Sequence, residues 1–167
     1  MKNDWVYDLE TFPNVFTIAL EHAQSGVRCV WEVSEWVNES SQIIRMMDYL
    51  KATGGRMVGF NNLGFDYPVL HLLYRMRTAD AATLYAKAQA IIASQELNRF
   101  QHQVYPSDRV VEQIDLFKIH HFDNMARSTS LKLLEFNMRL ASVKDLPFPV
   151  GSTLSRDQVV MLKEYNM

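Results

Sequence analysis

The sequence predicts an α/β protein built on a mixed five-stranded sheet in the order 3-2-1-4-5, with strand 2 antiparallel and helices flanking the sheet. Short runs of aromatic and β-branched residues open the chain and are joined by tight turns, which is typical of an antiparallel meander. Further along, stretches of helical periodicity alternate with short apolar runs, which favours parallel crossover connections. A length of 167 residues suits one domain, so we expect a single domain over residues 1–167.

The first three strands are predicted from β-propensity and turn residues. Residues 5–12 contain aromatic and β-branched side chains and are followed by Pro13, which ends the strand. Residues 15–20 and residues 27–33 alternate in the same way, and Ser25-Gly26 marks the turn between them. Because short turns join neighbouring antiparallel strands, these three segments form a meander.

The rest of the chain is predicted to alternate between helices and strands. The predicted elements are a helix over 34–51 capped by Ser34 and ended by Gly54-Gly55, a strand over 56–60, a helix starting near Pro68 with Asp66 at or just before its N-cap, a helix over 80–95, a strand over 110–116, a helix beginning at Ser130, an extended connector over 146–151, and a last helix opened by a capping box at Ser155 and Gln158. A helix between two strands returns the chain to the same sheet in parallel.

Composition limits the class of protein. With 48% hydrophobic and 22% charged residues the chain is an ordinary globular one, and its net charge of −2 gives no basic field that would favour nucleic acid. The single cysteine, Cys29, excludes an internal disulfide. No apolar run has membrane-spanning length, and the charged N-terminus lacks a signal-peptide core. We therefore expect an intracellular, cytoplasmic protein with no membrane segment.

Two acidic residues mark the end of the first strand. Asp8 and Glu10 project from one side of it together with Val6, so we expect the two carboxylates to emerge from an otherwise buried run. Like charges this close repel, and a divalent cation removes that penalty; hard oxygen ligands suit Mg²⁺ or Mn²⁺. The alternative is a solvated strand end that carries two acids.

The predicted strand order brings a third acidic residue to the same place. In the order 3-2-1-4-5 the ends of the first and fourth strands lie side by side, and Asp66 follows the fourth strand. Asp8, Glu10 and Asp66 are therefore expected to converge at one edge of the sheet and to share a cation.

Three segments resemble the DEDD 3′→5′ exonucleases, the ribonuclease-H-like proofreading nucleases. Residues 7–11, YDLET, resemble the first motif of that family. Residues 59–70, GFNNLGFDYPVL, resemble its second motif with the spacing found in family B DNA polymerase proofreading domains, and residues 114–117, IDLF, resemble a segment of phage members. The resemblance extends from about residue 4 to the C-terminus and implies a ribonuclease-H-like fold.

The resemblance also implies a reaction and the residues that perform it. It implies hydrolysis of phosphodiester bonds at the 3′ end of single-stranded DNA by two Mg²⁺ or Mn²⁺ ions, with a polymerase domain or another replication protein as a further partner. The implied roles are Asp8 bridging both ions, Glu10 on the first, Asp66 on the second, Tyr165 orienting the attacking water, Thr11 and Phe12 against the terminal nucleotide, and Asn61 and Phe65 against the entering strand.

The third motif of the tyrosine-bearing subgroup, Tyr-x-x-x-Asp, is incomplete. Residues 164–167, EYNM, resemble its opening, and the sequence ends two residues before the expected aspartate. We therefore expect a chain truncated at its C-terminus, whether a trimmed form, a fragment of a longer polymerase or nuclease, or a natural truncation. The missing acid keeps a second function open, a catalytically silent domain that binds nucleic acid or a partner; a third is an endonuclease cutting RNA.

Several residues also have purely structural interpretations. Phe12 and Phe65 either pack in the core or serve as base platforms, and Asp115 is either a helix N-cap or part of the site. Adjacent histidines do not share a helix face, so His120 and His121 are expected at the surface rather than on a metal. Scattered cations either contact phosphate or belong to the solvated surface, and they are Arg75, Arg77, Lys118, Arg127, Lys132 and Arg139.

Overall fold

The computed structural model describes residues 3–98, 100–120, 130–133 and 146–166. Its five-stranded sheet has the order β3-β2-β1-β4-β5, which confirms the predicted order. β2 is antiparallel to both of its neighbours, and β4 is parallel to β1 and to β5. The strands are β1 at Asp4–Phe12, β2 at Val15–His22, β3 at Arg28–Ser34, β4 at Arg56–Gly59 and β5 at Glu112–Asp115.

Helices flank this sheet. In chain order the described helices are α1 at Ser40–Thr53, α2 at Asp66–Met76, α3 at Ala81–Asn98, a 3-10 turn at Pro106–Asp108, α4 at Leu116–His120 and α5 at Arg156–Tyr165. Residues 131–133 are helical as predicted, and the rest of that predicted helix lies outside the described residues. No helix among the described residues is long and apolar enough to cross a lipid bilayer.

Two predicted boundaries were wrong for local reasons. Ser34 belongs to β3 and does not cap α1; its hydroxyl accepts hydrogen bonds from the backbone N–H groups of Trp36 and Val37, which turns the chain before the helix begins. β5 starts later than predicted because the N–H groups of Val110 and Val111 donate to the buried Tyr67 hydroxyl instead of to a neighbouring strand.

One face of the sheet carries the main core. Along β1 the side chains of Trp5, Tyr7 and Leu9 belong to the same buried cluster as Leu70 of α2 and Leu84 of α3. Side chains alternate between faces along a strand, so this pattern assigns Val6, Asp8 and Glu10 to the opposite face. The apolar side chains of α2 and α3 therefore shield the first set and not the second.

The opposite face is open where β1 carries its acidic residues. Val6 is 47% exposed, so the expectation that it belongs to a buried run was wrong. A hydrophobic residue on a strand is buried only if another element covers its face, and α5 packs further along, against Phe12 and Val15. This face of β1 is therefore open at Val6 and Asp8 and covered at Phe12.

The last helix is fixed at both ends. Its N-terminus has the predicted capping box, in which Ser155 and Gln158 exchange hydrogen bonds. Near its C-terminus the ammonium of Lys163 lies 3.3 Å from the carboxylate of Glu32 on β3. The Asn166 side chain, directly after the helix, donates to the Thr17 hydroxyl at 3.4 Å. Because Thr17 is the partner of Glu10 across β1 and β2, the end of α5 reaches the neighbourhood of the acidic residues.

Candidate functional site

The acidic residues lie where β1 continues beyond its parallel neighbour. The pairing between β1 and β4 ends at Val6 and Val58, and β4 itself ends at Gly59. β1 continues to Phe12, so Asp8 and Glu10 lie past the carboxyl end of β4. In sheets of this class, ligands bind at the carboxyl ends of parallel strands. We call the space beside β1 beyond the end of β4 the notch. The loop that follows β4 and the start of α2 border it.

That loop delivers Asp66 as the first residue of α2, with Phe65 at the N-cap position. Asn61 begins the turn with a φ of 57°, a left-handed conformation that asparagine tolerates better than most residues. The N–H groups of Gly64 and Phe65 both donate to the Asn61 carbonyl, which closes the loop upon itself. The buried carboxyl of Asp66 is therefore placed by a compact turn.

Asp115 holds this loop from the neighbouring strand. Its carboxylate accepts hydrogen bonds from the backbone N–H groups of Asn61 at 2.9 Å, Leu63 at 3.3 Å and Phe117 at 3.0 Å. The bond from Phe117 confirms the N-cap interpretation, because Asp115 directly precedes α4. The bonds to the loop were not predicted. With three N–H groups on its oxygens, Asp115 is a positioning residue for the loop.

A second buried contact beneath the loop was missed from the sequence. The side-chain amide of Asn62 is fully buried and donates to Oε1 of Gln113 at 3.0 Å, and the Tyr7 hydroxyl donates to the same oxygen at 2.9 Å. A Cβ atom added at Gly59 would lie 2.8 Å from Cβ of Asn62, so the backbone must approach this side chain closely. The only sequence signal was Gln113, a polar residue inside an apolar strand pattern.

The three acidic groups influence one another electrostatically. Burial, followed by repulsion from Asp8, raises the pKa of Glu10 to about 8. Burial, followed by the charges of Asp8, Glu10 and Asp115, raises the pKa of Asp66 well above its ordinary value. Loss of hydration raises the pKa of Asp8 to about 6, although Asp8 is exposed on the open face, where solvent screening weakens such shifts.

No cation balances this cluster within the part of the chain that the structure describes. The ion pairs found in the described part of the chain join Arg28 to Glu21, Arg56 to Asp4, Arg77 to Asp48 and Lys163 to Glu32. None of them uses Asp8, Glu10 or Asp66, so no ion pair offsets the burial that raises the pKa of each of these carboxyl groups.

The chemistry of the three carboxylates suits a hard divalent cation, but the present positions of their side chains do not yet form a metal site. Carboxylate oxygens are the ligands that Mg²⁺ and Mn²⁺ prefer, and mutual repulsion is what a cation relieves. Among residues 3–98, 100–120, 130–133 and 146–166, however, no three His, Cys, Asp or Glu side chains already stand close enough to hold a metal ion. Binding one ion through Asp8, Glu10 and Asp66 together requires their side chains to rotate toward one another.

The predicted substrate contacts have mixed outcomes. Phe12 is 1% exposed and packs with Val15, Leu154, Val159 and Leu162, so the packing interpretation holds and a stacking role for Phe12 was wrong. The half-buried Thr11 lies on the face of β1 opposite Asp8 and Glu10. Asn61 is half-buried, while Phe65 packs partly against the main core.

Tyr165 lies at the end of α5, half-buried against the cluster of Phe12 and Val15. Its neighbour Asn166 shares a surface cavity of about 130 Å³ with Val6 and Asp8. The structure thus brings the end of α5 to the face of the sheet that carries Asp8 and Glu10.

Several of the remaining predicted residues lie outside the part of the chain that the structure describes. His120 is the last residue of α4; its side chain and His121 lie outside the described residues, as do Arg127 and Arg139. Arg77 pairs with Asp48 and lies 4.8 Å over the Tyr74 ring.

The comparisons with known proteins identify no relative. No protein-family model, no curated protein and no solved structure matches this chain.

Proposed function

We propose that this chain is a metal-dependent 3′→5′ exonuclease domain of the ribonuclease-H-like class, acting on the 3′ end of single-stranded DNA. The observation that carries the proposal is the position of Asp8, Glu10 and Asp66 at the notch where β1 runs past β4, with none of them in an ion pair among the described residues. Three carboxyl groups gathered without a balancing cation are a costly arrangement unless a ligand uses their charge.

The residues divide into those that hold metal and those that position substrate. Asp8, Glu10 and Asp66 would hold two Mg²⁺ or Mn²⁺ ions, which when bound supply a nucleophilic hydroxide and stabilise the leaving 3′ oxygen. The Tyr165 hydroxyl orients the attacking water. Asp115 acts indirectly, because its bonds to the loop fix the start of α2 and hence the position of Asp66.

The open face supplies a route for the substrate. Val6 and Asp8 are exposed on it, and the surface cavity beside them continues to Asn166 after α5. A strand entering here meets the acidic residues with its 3′ end, and Asn61 and Phe65 lie on the loop that borders the notch. Single strands are favoured over duplex because one backbone must reach groups placed at a sheet edge.

The proposal is tested by degradation of a 5′-labelled single-stranded oligonucleotide with Mg²⁺ or Mn²⁺. We expect stepwise shortening from the 3′ end, and at least about a hundredfold slower degradation by Asp8→Asn, which removes a bridging ligand. Glu112→Gln is the matched control, because Glu112 is an exposed carboxylate on β5 and does not line the cavity beside Asp8. Equal rates for wild type and Asp8→Asn, or cleavage of a circular single strand, would contradict an exonuclease.

One observation favours a second function, a domain that binds single-stranded nucleic acid without cutting it. Asp115 already accepts hydrogen bonds from three N–H groups, and Asp157 is exposed in the first turn of α5. Neither of these two carboxylates therefore takes the place of the fourth acidic residue that the exonuclease resemblance implies. If this function is correct, the protein shifts the oligonucleotide in a binding assay with Mn²⁺ present, yet no product accumulates.

A further inference from the structure

A cavity of about 250 Å³ lies between α2, α3 and the segment that follows α3. Its lining includes none of the acidic residues at the sheet edge. The charged and titratable groups that face it are His71 and Arg75 from α2, Lys87 from α3, and His102 and Asp108 from the following segment. Four groups able to carry positive charge thus surround one small space, with a single carboxylate among them.

The hydrogen bonds in this cavity specify where the protons lie. The ammonium of Lys87 lies 2.9 Å from Nδ1 of His102. Since an ammonium has no acceptor, Nδ1 of His102 accepts and that imidazole is neutral in this contact. Nε2 of His71 lies 3.1 Å from the backbone carbonyl of Asp108, so Nε2 carries a proton and donates. This leaves Nδ1 of His71 able to take up a second proton.

The pKa values of the basic groups in this cavity are lowered, by burial and by one another's charge. Burial lowers the pKa of Lys87. Burial, followed by the charges of Arg75 and Lys87, lowers the pKa of His71, and the hydrogen bond to the Asp108 carbonyl and the Asp108 carboxylate only partly offset this. Burial, followed by the charge of Lys87, lowers the pKa of His102. The cavity is therefore short of negative charge, and a metal cation would be repelled from it.

We propose that this cavity is a binding site for a phosphate group. A guanidinium and an ammonium approach from α2 and α3, and both can donate hydrogen bonds to the oxygens that phosphate presents; the imidazoles of His71 and His102 can do so once they take up a second proton. The volume is below the range of about 300–1,000 Å³ for larger organic ligands and suits a small anion. The site is separate from the proposed nuclease centre and does not depend on it.

The test follows the imidazole signals of the whole chain by NMR, from about pH 5 to about pH 8.5. The chain contains five histidines, and His71→Gln and His102→Gln assign the two that matter. Inorganic phosphate, compared with chloride at equal ionic strength, is expected to raise the pKa of both by about one unit. His22, which bonds to Ser25 at the end of β2, should not respond.

Two lysine variants identify the cavity as the cause. Lys87→Gln removes the central charge and should abolish the phosphate effect; if that variant does not fold, Arg75→Gln, an exposed position, replaces it. Lys51→Gln, in the exposed last turn of α1, is the matched control and should retain the effect. Asp8→Asn should retain it too, which separates this proposal from the nuclease.

The source of the phosphate is distinguished by a second ligand. A response to inorganic phosphate assigns the site to free phosphate or a small phosphoester, and a response only to a single-stranded oligonucleotide assigns it to the backbone of a nucleic acid. If neither ligand shifts His71 and His102 more than His22, or if Lys87→Gln responds as strongly as Lys51→Gln, the proposal is wrong.

Discussion

Glu10 illustrates at the residue scale how one side chain links stability to ligand binding. Its carboxyl group is poorly hydrated and lies next to Asp8, so the folded protein favours its protonated form. The unfolded chain has no such preference. Folding therefore takes up a proton between the ordinary pKa of 4.5 and the folded pKa of about 8.

This uptake gives a prediction for stability. Where the folded state binds more protons, the free energy of unfolding falls as pH rises, so the metal-free protein should lose stability between about pH 5 and about pH 8. Glu10→Gln should remove about 2 kcal/mol of that decline, allowing for solvent screening. Urea unfolding with a chelator present measures it; parallel curves for the two proteins would contradict the assigned environment.

At the scale of elements, the loop before α2 depends on a side chain from β5. Asp115→Ala leaves the N–H groups of Asn61, Leu63 and Phe117 without their acceptor. The Leu63 bond is buried and the other two are partly buried, so at about 1–3 kcal/mol for an unsatisfied buried group we expect a loss of about 3 kcal/mol in the free energy of unfolding. Asp108→Ala, an exposed carboxylate whose residue bonds His71 through its backbone, is the control and should cost less than about 1 kcal/mol.

Thermal or urea unfolding checks this prediction. Asp115→Asn keeps an acceptor oxygen in place and should fall between the wild type and Asp115→Ala. If Asp115→Ala unfolds like the Asp108→Ala control, then the loop is held by its own backbone bonds and Asp115 does not position Asp66.

The elements that the sequence predicted well are those governed by connection rules. A helix between strands favours a parallel return, so the sheet order followed from the order of elements, and with it the placement of Asp8 and Asp66 at neighbouring strand ends. The exposure of Val6 did not follow, because alternation tells which residues share a face and not whether that face is covered. Serine is a favoured N-cap residue, but Ser34 is the last residue of β3 and does not begin a helix.

The buried amide contact escaped prediction for a related reason. Asn62 stands in a run of turn residues, where asparagine is ordinarily solvated, and Gln113 is too distant in sequence to be recognised as its partner. Tyr165 was correctly assigned to the last helix, since the capping box fixes the start of α5 and the helical repeat sets its phase.

At the scale of the whole molecule, the two faces of the sheet have different tasks. α2 and α3 contribute to the main core on one face, which carries the apolar residues of β1, and α5 covers only the far end of the other. Asp8 therefore stays exposed and Glu10 half-buried on a strand that is packed from behind, while Asp66 is buried at the start of α2. Accessibility of this kind allows a cation to compete with protons for the same oxygens.

That competition gives a prediction for metal affinity. A cation at this edge displaces the protons that Glu10 and Asp66 retain, so Mn²⁺ affinity should rise about tenfold per pH unit for each proton released. From about pH 6 to about pH 8 we expect at least a hundredfold gain, levelling off above the Glu10 pKa of about 8. Isothermal titration calorimetry in buffers of different ionisation enthalpy measures both the affinity and the protons released.

The variants decide whether these acids are the ligands. Glu10→Gln removes a carboxylate ligand, so its Mn²⁺ affinity should be weak. Because glutamine has no proton for the cation to displace, that affinity should also depend less on pH than the affinity of the wild type. Glu112→Gln, an exposed carboxylate at the end of β5 opposite Asp115, should behave as the wild type does. An Mn²⁺ affinity that does not change with pH, or that survives in Glu10→Gln, would mean that the cation binds elsewhere and that the notch beside β4 is not a metal centre.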